Sequence, residues 1–242
     1  MDAIETILTR KSVRQMMPDK EISKDEIMGL LEVAAKTASW SNSQPWEVFV
    51  VSGDSLVKIN EIWREEMSEG IPDSRPDLTF PHREEWQQYK RYQDNVIGFG
   101  QSRKEYAEEM GIGEEEWMKM TLESLSNNYF SSALVILALH ESATTYSHYD
   151  LGAFATNFML AAEEMGYSTI TAASIVFFAD RIREVIDVPE DIKLVVGIGI
   201  GYADEDHPLN KPESPRNSPE NSQDSLIRQL SFNQNSCICK SR

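Results

Sequence analysis

The chain has 242 residues, a hydrophobic fraction of 40% and a formal net charge of −17. That length makes one large domain or two small ones, with enough apolar residues for a substantial core. The charge argues against nucleic acid, whose phosphates must be neutralised, and against anionic membrane surfaces.

In chain order, residues 2–8 read as a short helix. Ser23-Lys24-Asp25-Glu26 has the spacing of a capping box and opens a helix with Ile27, Leu30, Leu31 and Ala34 on one face. Residues 46–51 form an apolar strand after Pro45, and 55–67 a helix. From about 70 to 113 the chain is polar, aromatic and irregular, with Pro72, Pro76 and Pro81. Trp86, Tyr89 and Tyr92 within it suggest a helix laid over another surface. Residues 114–125 read as a helix whose first turn, Glu114-Glu115-Glu116, suits the positive end of the helix dipole. Residues 133–140 form a buried strand, and their apolar run is far too short to span a bilayer.

Residues 150–165 make a helix that is apolar nearly all round, with Gly152, Ala155, Ala161 and Ala162, and Gly166 at its C′ position. Such a helix is buried on every side, in a central core or in a subunit interface. Strands at 168–174 and 193–202 flank a short helix at 180–186. Alternating Gly197, Gly199 and Gly201 lack the spacing of a dinucleotide-binding loop and predict close packing of a neighbouring element. Past Ala203, four prolines and many Ser and Asn mark an arm or tail. Few strands, long helices and a non-alternating order predict an α+β domain. The N-terminus carries Asp2 and Glu5 where a secretory leader is basic and apolar. The two cysteines, Cys237 and Cys239, support no disulfide framework. Both features suit a cytoplasmic protein.

Two clusters in the first fifth of the chain stand out. Arg10-Lys11-Ser12-Val13-Arg14 has three cations in five residues of an acidic protein. It is either a solvated helix end or the cradle of a bound phosphate, whose oxygens guanidinium, ammonium and hydroxyl groups satisfy. Ser39-Trp40-Ser41-Asn42-Ser43-Gln44-Pro45-Trp46 is a polar loop between a helix and a strand, a common place for ligand contacts. The histidines, His82, His140, His148 and His207, are scattered with no metal-ligand spacing, and His140 at a strand end reads as structural. Cys237 and Cys239, without a nearby histidine, read as part of a flexible end, so no metal site is expected.

At this separation and in this order, the clusters resemble the N-terminal signature of the FMN-dependent nitroreductase family. Asp150-Leu151-Gly152 with Leu160-Ala161-Ala162 and Gly166 resembles that family's central helix. Ile186, Val188-Pro189 and Gly197 to Tyr202 resemble its closing helix and strand. Asp204, Pro208, Asn210 and Arg216 match the C-terminal arm of the subgroup that includes nitrobenzoate reductase-like proteins. The resemblance covers residues 4–216.

It implies a nitroreductase-like fold: a central, mostly antiparallel sheet flanked by helices, dimeric, with an extended C-terminal arm. The FMN-binding domain would be 1–204, with a lid or insertion at about 70–113, and 205–242 would be the arm and tail. Arg10, Lys11, Ser12 and Arg14 would hold the flavin phosphate and ribityl chain, and Arg216 would close on the phosphate. Ala38, Ser39, Trp40 and Asn42 would approach the flavin of the other subunit. Thr171, Ala172, Ala173 and Ser174 would run past the ring, with a backbone N–H near Ser174 facing N5. Ala173 and Ser174 replace an acidic residue and glycine that better-known members often carry. Trp40, Trp86, Tyr89 and Tyr92 would shape the substrate pocket.

The implied activity is that of an NAD(P)H oxidoreductase reducing nitroaromatic, quinone or related acceptors by ping-pong hydride transfer through N5. No catalytic side chain is nominated, because the flavin carries the chemistry. NADH or NADPH would be the donor, the partners a second copy and a small-molecule acceptor. Two alternatives stay open: a flavoenzyme of the same fold with other chemistry (dehalogenation, dehydrogenation, flavin cleavage), or a non-catalytic flavin-binding protein.

Overall fold

A computed structural model describes residues 2–68, 73–79 and 89–217. By Cα proximity the chain divides into two units, Met1–Phe80 with Tyr106–Pro212, and Pro81–Glu105 with Glu213–Arg242.

The larger unit is built on a sheet of β1 (Trp46–Ser52), β2 (Ala133–His140), β3 (Ser168–Ala172) and β4 (Ile192–Gly201), in the order β1-β2-β4-β3. Every neighbouring pair is antiparallel. Side chains alternate across a strand, so β2 serves two cores at once. Val135, Leu137 and Leu139 face α2 (Lys24–Ala34) and α6 (Thr145–Glu164), where they meet Leu30, Phe154 and Phe158. Leu134, Ile136 and Ala138 face α3 (Gly53–Glu66) and α7 (Ala179–Ile182), where they meet Trp63 and Phe178. Both faces of β2 are therefore dry, which is why its sequence is a continuous apolar run.

α1 (Ala3–Thr9) starts where Asp2 Oδ1 accepts the N–H groups of Ile4 and Glu5, each at 2.9 Å. α5 (Glu114–Ser126) has the expected three glutamates in its first turn. The helix expected around the aromatic stretch is α4 (Lys90–Glu109); Trp86 lies outside the described residues. Within the smaller unit, Tyr89 and Tyr92 pack with ring centroids 5.3 Å apart. Among the described residues no helix is long and apolar enough to cross a membrane.

The short helix expected at 180–186 ends at Ile182, and two further sequence boundaries move. α6 begins at Thr145, five residues before its apolar run, because Thr144 and Ser147 cap it reciprocally. Within one chain this helix is not buried all round: Gly152, Thr156 and Asn157 face outward, with Tyr146 and Tyr149 ahead of them. β3 stops at Ala172 and gives way to a 3₁₀ turn, Ala173–Val176. The turn carries Ile175 onto the glycine stripe of β4.

That stripe packs as its sequence predicts. A methyl group placed on Gly197 would lie 2.2 Å from Ile175 Cγ2, on Gly199 2.3 Å from Ser131 Oγ, and on Gly201 2.7 Å from Met16 Sδ. A short stretch after α3 is also pinned to this region. The Asp77 carboxylate accepts two bonds from Arg183, at 3.0 and 2.8 Å, and the Leu194 N–H at 2.8 Å.

The capping box of α2 is present and does more than cap. Glu26 Oε2 accepts the Ser23 N–H at 2.8 Å, and Oε1 accepts the Tyr167 hydroxyl at 2.6 Å. These bonds, Ser23 first and then Tyr167, hold the Glu26 carboxyl down at about 2, and the Tyr167 phenol is pushed up by its bond to Glu26. A carboxylate whose folded pKa is depressed stabilises fully above its ordinary pKa. For Glu26 that contribution is present above 4.5 and lost as the pH falls toward 2. Glu26→Gln is thus expected to melt lower at neutral pH and to lose less stability on acidification than the parent. Parallel melting-versus-pH profiles for the two proteins would contradict this.

Candidate functional site

The cationic loop lies beside β3. The Val13 N–H donates to the Thr169 carbonyl at 3.0 Å, Met16 to Tyr129 at 3.0 Å, and Met17 to Tyr202 at 2.8 Å. One buried side chain fastens its middle. Asn210 Oδ1 accepts the N–H groups of Arg14 and Gln15, at 2.6 and 3.1 Å, while Nδ2 donates to the carbonyls of Gln15 and Asp204, at 2.6 and 2.9 Å. Asn210 is 3% exposed. Its amide is the device that shapes the loop, and the sequence placed it only within the arm motif.

Charge in this loop is unevenly spent. Lys11 Nζ donates to the Asn210 carbonyl at 3.3 Å and sits 3.9 Å from Glu205. Arg14 is half-buried; burial lowers its pKa, and the nearby Tyr129 opposes the shift. Arg10, also half-buried, makes no side-chain hydrogen bond or ion pair among the described residues. Ser12 bridges to Thr169, whose buried Oγ1 has no hydrogen-bond partner among the described residues. Arg10, Ser12 and Arg14 follow one another on this short loop beside β3, and guanidinium and hydroxyl donors of this kind fit a phosphate monoester; Arg14 Nη1 also donates to the Ser12 carbonyl at 3.2 Å. Arg216 belongs to the smaller unit, where its Nη1 donates to the carbonyls of Ser214 and Pro215, at 2.9 and 3.0 Å.

β3 leads from this loop to the residues expected along the ring. Thr171 is exposed, Ala172 and Ala173 are half-buried, and Ser174 is buried. Ser174 Oγ pairs with the Tyr129 hydroxyl at 2.8 Å, and the Ser174 carbonyl accepts the Trp63 indole N–H at 3.1 Å. Tyr129 sits in a turn, Asn128–Phe130, whose three residues have φ of 45°, 64° and 56°. A non-glycine residue held there costs roughly 1–3 kcal/mol, so surrounding contacts must over-determine this turn.

The second cluster is organised by α6. Asp150 is 3% exposed, and its Oδ2 accepts the Trp40 N–H at 3.0 Å. Two turns along the same helix face, Asn157 Nδ2 donates to Thr37 Oγ1 at 2.7 Å. Just past these anchors the backbone is left-handed at Ser41, Asn42 and Gln44, with φ of 49°, 57° and 46°. Ala38, Trp40 and Asn42 are exposed and Ser39 is half-buried. Trp40 stacks on Tyr146, with centroids 6.4 Å apart and planes at 28°. Asp150 fastens the candidate loop at Trp40, and the sequence placed it only in the helix motif; a lone acid opening an apolar run was its signal.

Other features serve the fold. His140 Nδ1 lies 2.7 Å from Ser142 Oγ and Nε2 lies 3.4 Å from Asp191, closing the turn after β2. Among the described residues no three His, Cys, Asp or Glu side chains gather as a metal site; His82, Cys237 and Cys239 lie outside them. A groove of about 1230 Å³ between α3 and α5, floored by Met67, Met118 and Leu122, shares no residue with either cluster.

The model of the nitroreductase family matches residues 7–202. Nitroreductase NfnB of Mycolicibacterium smegmatis is 30% identical over 209 residues, covering 86% of this chain and 85% of that one. A 4-nitrobenzoate reductase of Pseudomonas putida is 24% identical over 217 residues, covering 87% and 89%. The crystal structure of the FMN-dependent nitroreductase NfnB from Mycobacterium smegmatis in complex with NADPH superposes with a TM-score of 0.77. That alignment has 28% identity and covers 90% of this chain and 95% of the other.

Proposed function

Because the chain belongs to the nitroreductase family, we propose that it is an FMN-dependent NAD(P)H oxidoreductase that reduces nitroaromatic, quinone or related acceptors. The observation that carries this reading is the cationic loop pinned by Asn210 against β3 in a chain of net charge −17. A bound anion would give three cations in five residues of so acidic a chain a local reason. Arg10, Ser12 and Arg14 would hold the phosphate, and Lys11 would support the loop from the Asn210 side. Thr171 to Ser174 would run past the ring. A bound flavin supplies the hydride chemistry at N5, leaving the protein to position and to tune. Donor and acceptor would occupy the same space over the flavin in turn.

Acceptor choice would fall to aromatic surface. Trp40, exposed and backed by Tyr146, offers a flat acceptor an offset stacking partner. Trp86, Tyr89 and Tyr92 enter on the family resemblance alone, as does Arg216 at the phosphate. The proposed assembly is a cytoplasmic homodimer. Ile4, Ile7 and Leu8 of α1 are 70%, 59% and 79% exposed, and Tyr146 and Tyr149 of α6 are 65% and 77% exposed. A second copy covering these side chains would bring Ala38 to Asn42 of one subunit toward the flavin of the other.

Purified protein is expected to carry a flavin absorption band that bleaches on anaerobic addition of NADPH or NADH and returns with a nitroaromatic. Steady-state data should give parallel double-reciprocal lines, and light scattering of the same sample should read two chains. A flavin that neither nicotinamide bleaches would overturn the reductase reading in favour of other flavin chemistry or a binding role. A flavin-loaded monomer at micromolar concentration would overturn the dimer.

A further inference from the structure

We infer that Tyr129 is a positioning residue that sets the Ser174 turn and couples it, through one rigid left-handed turn, to the cationic loop. This rests on the flavin reading above, in which that loop meets the phosphate and the Ser174 backbone faces the ring.

Three observations converge on Tyr129. First, its conformation is imposed. Asn128, Tyr129 and Phe130 are consecutive non-glycine residues in the left-handed region. The turn is held from both ends: Asn128 Nδ2 donates to Asn60 Oδ1 at 2.9 Å, and the Asn128 carbonyl accepts the Ser131 hydroxyl at 2.7 Å. Strain of this kind persists where a particular side-chain direction is needed.

Second, the two polar ends of Tyr129 engage the two halves of the site. Its carbonyl accepts the Met16 N–H at 3.0 Å, just past the cationic cluster. Its hydroxyl pairs with Ser174 Oγ at 2.8 Å. The Ser124 hydroxyl, four residues before the turn, donates to the Arg14 carbonyl. The same short stretch of chain therefore holds the loop backbone at Arg14 and Met16 and the side chain of Ser174. Third, the Tyr129 ring packs against both the cluster of Ile175, Val176 and Phe178 and the cluster of Val13, Met16 and Ile170. Apart from Tyr129, only Ala172 of β3 is shared in this way among the described residues. With the Ser174 carbonyl held by Trp63 and its hydroxyl by Tyr129, the peptide there has one orientation.

Tyr129→Phe keeps the ring in both clusters and deletes only the hydroxyl. Ser174→Ala removes the other end of the same bond. For each single variant and the double, the flavin midpoint potential and visible spectrum are read by dithionite titration, and the rate of flavin reduction by NADPH in stopped flow. Tyr129→Phe is expected to shift the potential and the absorption band and to slow reduction about two- to tenfold, the size of one lost neutral hydrogen bond. The double variant should be no worse than the worse single one, because both changes remove one interaction.

An unchanged potential, spectrum and rate in Tyr129→Phe overturns the inference, as does a double variant whose losses add. Dithionite reduction needs no nicotinamide. A parent protein that binds FMN but is bleached by neither NADPH nor NADH would therefore sink the reductase reading while the potential shift still decides the role of Tyr129. A parent that takes up no FMN overturns both.

Discussion

Arg10→Ala is expected to release FMN, weakening its binding roughly ten- to a hundredfold while the fold stays intact. A hydrogen bond to a charged group contributes about 1.5–3 kcal/mol, and each 1.4 kcal/mol is about tenfold in affinity. Arg10 is the cleanest of the cations to test. It follows directly on α1, and its guanidinium is committed to no other side chain among the described residues. Removing it should break no side-chain hydrogen bond or ion pair among the described residues. Arg14 is a poorer probe, because its backbone is tied to Asn210 and its side chain is half-buried and near Tyr129. Lys11 is poorer too, since its ammonium already meets the Asn210 carbonyl. Flavin titration followed by fluorescence measures the affinity, and thermal melting of the flavin-free protein checks the fold. An unchanged dissociation constant would remove Arg10 from the phosphate site.

Gly197→Ala is expected to damage the fold itself. The new methyl would sit 2.2 Å from Ile175 Cγ2 and 2.5 Å from its Cβ. Ile175 is fully buried and branched at that carbon, so it has no flexible end to swing aside. Overpacking of this kind costs about 1–3 kcal/mol. For a chain of this size that lowers the melting temperature by roughly 2–12 °C. Ile175→Ala should recover part of the loss in the double variant, because the two sites touch and their effects cannot add. Since Ile175 follows Ser174 in the same 3₁₀ turn, flavin affinity should fall with stability. A Gly197→Ala protein that melts with the parent would show that the turn yields freely, and would weaken the account of Ser174 as a rigid element.

The glycine stripe behind this second expectation is only half legible in the sequence. Alternating glycines in an apolar strand announce that something approaches closely, and their spacing rules out a phosphate loop. What approaches is not written there. Ile175, Ser131 and Met16 come from three separate segments and meet the stripe only because β4 lies between β2 and β3. The end of β3 shows the same limit. Residues 168–174 read as one strand, yet the chain turns at Ala173, because the Ser174 carbonyl meets Trp63 and Ile175 must reach Gly197.

Local chemistry determined the rest of what could be read. The capping box at Ser23, the stop at Gly166, the buried run of β2 and the cationic cluster depend on residues within a few positions of each other. Their physics, a cap bond, a left-handed residue, a period of two and a charge density, acts over that range. The functional geometry does not. Asn210 shapes a loop 196 positions away, Asp150 holds Trp40 from 110 positions away, and Tyr129 meets Ser174 across 45. Each is one polar side chain buried where it satisfies a backbone or hydroxyl group that water can no longer reach, and only the folded chain decides which group that is.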